Sequence, residues 1–142
     1  MKAKGFFLSR FLIKFNVAKK PKQCIVYEMI TNIVVKLQFE ALHNWPGVVN
    51  MIPNQPWIHM LKDKHRHIFH ITLEKGVTHS DRDVEIILFK QSVITHLEAK
   101  FGRPGDLGAM SCEMLAEYLL KVYDCETAEV LEDNENGAKV YK

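Results

Sequence analysis

The 142-residue chain is poor in cysteine: Cys24, Cys112 and Cys125 are an odd number at no repeating spacing, with no CxxC pair. A disulfide-stapled scaffold is thereby excluded, and the three read as free thiols in a reducing, cytoplasmic compartment. Long apolar runs are missing too. None approaches the roughly 18–20 residues that a bilayer span needs. There is no internal repeat and no collagen-like, coiled-coil or disordered bias in composition. A strong net charge is absent, with 19 Lys and Arg against 17 Asp and Glu, so nothing points to a nucleic-acid-binding body. What is present is one domain's length, 47% hydrophobic and 25% charged. Such a chain buries about two-thirds of its unfolded surface without covalent help.

Charge is unevenly placed. Seven of the 19 cations precede residue 29, against one acid, Glu28, which leaves 12 cations and 16 acids for the remainder. Residues 1–28 mix those cations with Phe6, Phe7, Leu8, Phe11, Leu12, Ile13 and Phe15. A secretory signal would keep its lysines ahead of the apolar middle; here they interrupt and follow it. A basic amphipathic segment touching a membrane surface is one reading. A disordered or loosely docked extension is the one we favour, with the folded domain at 29–142.

The remainder shows an order of elements. Over Thr31–His43, Ile33, Val35, Leu37, Phe39 and Ala41 fall on one face and Lys36, Gln38 and Glu40 on the other, the period of a half-buried strand. His43 shares the inward parity. Asn44, Pro46 and Gly47 end the strand, and residues 44–63 read as a long loop. A second alternating run places His65, His67, Phe69, Ile71 and Leu73 together, with a bulge expected at Gly76. Ser80 and Asp81 are candidate caps for a helix carrying Ile86, Phe89, Val93, Leu97 and Phe101 at helical spacing. Gly102, Pro104 and Gly105 break it. A helix after Ser111 carries Met114, Leu115, Tyr118, Leu119 and Val122. Thr127–Glu132 is a short strand, and Asn136-Gly137 signals a hairpin turn into a last strand. The order β-β-α-α-β-β predicts an α+β domain: a four-stranded antiparallel sheet with two helices on one face.

Three histidines carry the main chemical signal. His65 and His67 leave one face of a strand about 7 Å apart at the backbone. If the two alternating strands pair antiparallel, His43 ends beside them. Three imidazoles can hold one ion at roughly 2.0–2.1 Å each and leave a fourth position open, as in a catalytic zinc site. Against this stands the ordinary role of an inward histidine as a satisfied core residue. His79 and Asp81, in the segment from Thr78 to Asp83, are candidate proton carriers, or simply parts of a capping turn.

The same residues resemble the 6-pyruvoyltetrahydropterin synthase and 6-carboxytetrahydropterin synthase family, which has the tunnelling fold. The likeness covers about residues 31–132. Phe39-Glu40-Ala41-Leu42-His43 is similar to Phe-x-Ala-x-His, and His65-Arg66-His67 to His-Gly-His; together these hold zinc in the family. Glu85 to Lys90 is similar to its Asp-Phe-x-x-Leu-Lys. Ser111-Cys112-Glu113-Met114-Leu115-Ala116 is similar to its Thr-Ala-Glu-Asn-Leu-Ala, whose hydroxyl and Glu help bind the pterin. Val130-Leu131-Glu132 is similar to the closing Val-x-Val-x-Glu, whose Glu anchors the amino-pyrimidine edge. The resemblance implies zinc on His43, His65 and His67, a heterocycle on Ser111, Glu113 and Glu132, and assembly of several copies.

Glu132 also has a reading of its own. A carboxylate can accept a ring N–H and an adjacent exocyclic amine together; equally, Glu132, Asp133 and Glu135 make a solvated acidic run. The chain departs from the family at its acid and base positions. Residues 44–64 contain no cysteine, the nearest match to an Asp-His pair is Thr95-His96 inside a helix, and Arg66 replaces a glycine. Two classes of function follow. One is a zinc-dependent enzyme that acts on a pterin-like or purine-derived small molecule by proton transfer and carbon–oxygen elimination. The other is a protein that binds or sequesters such a heterocycle without chemistry.

Overall fold

The two alternating runs form the centre of a sheet. A computed structural model describes residues 29–142; the basic segment read over residues 1–28, its membrane contact and Cys24 lie outside the described residues. Strand β1 (Asn32–His43) runs antiparallel to β2 (His65–Gly76) without interruption, from Asn32 opposite Gly76 to His43 opposite His65. Gly76 ends β2, and no bulge interrupts the ladder there. Between them, residues 44–64 are not a bare loop. They hold a one-turn helix, α1 (Val48–Met51), and a 3-10 segment over Pro56–Lys62. His59 braces this excursion with a ring nitrogen 2.9 Å from the Ile52 carbonyl.

Helix α2 (Ile86–Phe101) buries Phe89, Val93 and Leu97, spaced four residues apart. Its cap is Glu85, whose carboxylate accepts from the Leu88 N–H at 2.7 Å, and not Ser80 or Asp81. Four residues then form β3 (Gly105–Gly108), which pairs parallel with the end of β1. Ser111 caps α3 (Cys112–Tyr123), as its position before the apolar stripe predicts. The buried face of α3 is rotated from the expected stripe. Cys112, Leu115, Ala116 and Leu119 face the sheet, while Met114 and Val122 are exposed. Two small residues on the inner face let the helix backbone sit close to the strands.

Strands β4 (Thr127–Glu132) and β5 (Asn136–Tyr141) complete an order of β3-β1-β2-β4-β5. The sheet is therefore five-stranded and mixed, where four antiparallel strands were expected. β1, β2, β4 and β5 are antiparallel neighbours as anticipated, and β3 adds a parallel edge. The β4–β5 turn falls on Asp133 and Asn134, both at positive φ, and Asn136-Gly137 already belongs to β5. One sheet face and both long helices share a single core, with Phe69, Ile71, Leu73, Leu97, Leu115 and Leu119 almost fully buried. The other face carries Lys36, Gln38 and Glu40 to solvent. Among the described residues, no helix is long and apolar enough to cross a membrane.

Candidate metal centre

Sheet register gathers the three histidines. His43 and His65 are direct cross-strand partners, and His67 lies opposite Ala41, two residues along on the same face. The ring centroids stand 4.6 Å (His43–His65), 5.2 Å (His43–His67) and 5.1 Å (His65–His67) apart. One nitrogen from each ring lies within 4.8 Å of the others, close enough to hold one metal ion. Arg66, between two of them in sequence, points to the opposite face and reaches Glu40 at 3.2 Å, so its bulk does not crowd the rings.

Each ring is also held from behind. His43 Nδ1 lies 3.4 Å from the Met110 carbonyl, His65 Nδ1 2.8 Å from the Asp63 carbonyl, and His67 Nδ1 2.5 Å from Asp133 Oδ2. Oxygen acceptors at Nδ1 place the proton there and leave the three Nε2 lone pairs for an ion, the usual arrangement behind metal-bound imidazole. Asp133 is itself fixed by the Ile68 N–H at 2.9 Å, and that bond, followed by the one to His67, holds its carboxyl below the ordinary range. His43 is 9% exposed. Burial pushes its pKa down against the opposing pull of Glu132, which favours the neutral, ligating form. Its Nε2 lies 3.2 Å from Glu132 Oε1 but out of line for a hydrogen bond, and so is buried without a partner. A buried ring nitrogen without a partner, grouped with two other imidazoles, suits a cation ligand. The donor set fits.

A cavity of about 580 Å³ opens beside His43 and His65, lined also by Trp45, Met110, Ser111, Glu113 and Glu132. Ser111 is engaged as the helix cap, its Oγ accepting from Met114 N–H at 3.3 Å. Hydrogen bonds from its own backbone N–H and from Ser111 hold Glu113 below the ordinary carboxylate range. Cys112 Sγ donates to Glu132 Oε1 at 3.6 Å. Burial and then the Glu132 charge push this thiol up to about 12, so it stays protonated and is no base.

The metal and heterocycle candidates thus meet around one cavity. His79 and Asp81 do not. They follow Gly76, at the far end of the 12-residue strand that begins with His65, a separation of roughly 36 Å along the strand. Both are exposed, and His79 Nε2 sits 3.7 Å from Asp83. Within one chain they cannot carry protons to the histidines; they sit in an exposed turn ahead of Glu85, the residue that caps α2. His96 lies inside α2 against the Tyr118 hydroxyl. Sequence reasoning missed Asp133, read as part of a solvated run, and the Met110 and Asp63 carbonyls, which carry no side-chain signature. It also passed over Trp45.

No family model matches the chain, and no curated protein does. Among solved structures, it is similar to the crystal structure of an uncharacterized protein, WS1659, from Wolinella succinogenes. The match has a TM-score of 0.56 at 13% identity and covers 81% of this chain and 99% of that one. At that identity the likeness is one of fold alone.

Proposed function

We propose that the chain is a zinc-dependent protein of the 6-pyruvoyl/6-carboxytetrahydropterin synthase type, acting on a pterin-like or purine-derived small molecule by proton transfer and elimination. The observation that carries this is the convergence of one nitrogen from each of three imidazoles, each ring backed at Nδ1 by an acceptor, beside a cavity lined by His43, His65, Glu113 and Glu132. Zinc on His43, His65 and His67, when bound, supplies Lewis-acid polarisation of a substrate oxygen. Glu132 accepts a ring N–H and the neighbouring amine, and Glu113, kept ionised at the α3 start, adds a second acceptor. Trp45 offers an apolar wall to a flat ring.

A second reading rests on a specific observation. The proton carriers expected from the sequence are not at the cavity, since His79 and Asp81 lie at the other end of the sheet, and Cys112, a cysteine that lines it, stays protonated. That favours a protein that binds or sequesters the heterocycle without turning it over. The assembly of several copies implied by the resemblance has a physical basis in the two open sheet edges, β3 and β5.

Metal analysis of untagged protein tests the first step. About one zinc per chain, lost in His65→Ala, supports the centre; its absence removes the proposal. Incubation with dihydroneopterin triphosphate separates the two readings, since product formation supports the enzyme, and tight retention of unchanged ligand the binder.

A further inference from the structure

Glu132 stands closer to the imidazoles than a purely substrate-directed carboxylate needs to. Its Oε1 lies 3.2 Å from His43 Nε2 and its Oε2 3.7 Å from His67 Nε2. Ligand atoms about 2.0–2.2 Å from a tetrahedral ion sit roughly 3.4 Å from one another; Oε1 is near that distance from His43 Nε2 and Oε2 somewhat beyond it from His67 Nε2, and since the carboxylate is not grouped with all three rings, one oxygen must swing inward to cap an ion. The chemistry of the contact is more telling than its length. With the Nδ1 protons of His43 and His67 engaged by oxygen acceptors, both Nε2 atoms present bare lone pairs. A carboxylate also only accepts. Acceptors this close repel unless a cation lies between them. No Lys or Arg among the described residues pairs with Glu132, whose other polar contact is the Cys112 thiol.

We infer that Glu132 is the fourth ligand of the metal when no small molecule is bound, giving a three-histidine, one-glutamate site. This rests on the metal reading above and adds to it a form of regulation. Glu132 cannot cap the ion and grip a heterocycle edge at once. An entering molecule must draw the carboxylate off the metal, and the open position exists only once the site is filled. The ion is thereby shielded from small adventitious ligands in the resting protein.

The test uses the cobalt-substituted full chain, followed by its visible absorption, with azide as the probe. If Glu132 caps the ion nine-tenths of the time, azide binds the wild type about tenfold more weakly than it binds Glu132→Gln, because apparent affinity falls with the open fraction. Chelator competition should show the same variant losing metal affinity. Glu132→Asp, one methylene shorter, should behave like the Gln variant while keeping the charge. Equal azide responses in wild type and both variants would overturn the inference and leave the three-histidine site standing. Failure of the wild type to take up cobalt, as expected only of His65→Ala, would overturn both. Far-ultraviolet circular dichroism of each variant confirms that the comparison is between folded proteins.

Discussion

Asp133 does two things at one position. Its carboxylate orients His67 and ties down the Ile68 N–H, while its backbone, at φ of 50°, turns the chain from β4 into β5. Asn tolerates the same left-handed backbone better than most residues, so Asp133→Asn separates charge from conformation. The variant should fold normally and bind metal about 10–100-fold more weakly, as is typical when a partner behind a ligating imidazole is lost; chelator competition measures it. The Cys112 thiol, pushed up to about 12, makes a second prediction at this scale. Alkylation at neutral pH follows the thiolate. Peptide mass spectrometry after iodoacetamide treatment of native protein should find Cys112 unmodified, and after unfolding should find it fully labelled.

Elements show where sequence patterns speak and where they are silent. β1 and β2 are legible in the sequence because each alternates cleanly, and the same parity puts His43, His65 and His67 on one face. β3 is not. Gly105-Asp106-Leu107-Gly108 is too short for a period of two to register, and its two glycines read as breakers. Gly105 is required there by closeness: a Cβ would come within 2.5 Å of the Phe39 ring. The hairpin turn falls three residues earlier than Asn136-Gly137 suggests, because Asn136-Gly137 and Asp133-Asn134 both permit positive φ, and only the ladder chooses between them. Gly137 is constrained by packing instead, since a Cβ would fall 1.9 Å from the Val130 carbonyl oxygen. Gly137→Ala should therefore force β5 away from β4 and cost about 1–3 kcal/mol, read as a lower denaturant midpoint.

At the scale of the whole molecule, an ion held at the proposed centre would contribute to folding. The three ligands come from two strands, backed by groups from the β4–β5 turn, the segment before β2 and the loop before α3, so an unfolded chain offers no comparable site. Ligand that binds only the native state stabilises it by about 2.7 kcal/mol at a hundredfold excess over Kd. Stripping the metal with a chelator should lower Tm by about 4 °C or more for each kcal/mol lost, and zinc should restore it. The same chelator should leave Tm unchanged in His65→Ala. The backing groups explain why the sequence revealed the ligands but not the shell behind them: main-chain carbonyls have no letter in the sequence, and their arrival at His43 and His65 depends on how loops close.

The pairing of His43 with His65 has a consequence for how the chain finds its alignment. Sliding β1 past β2 by a single residue turns every side chain of the slipped strand to the opposite side of the sheet. His43 would then leave its two companions. Cation capture at the proposed centre would thus act as a proofreader of strand pairing, rewarding the one alignment that brings all three rings to the same point.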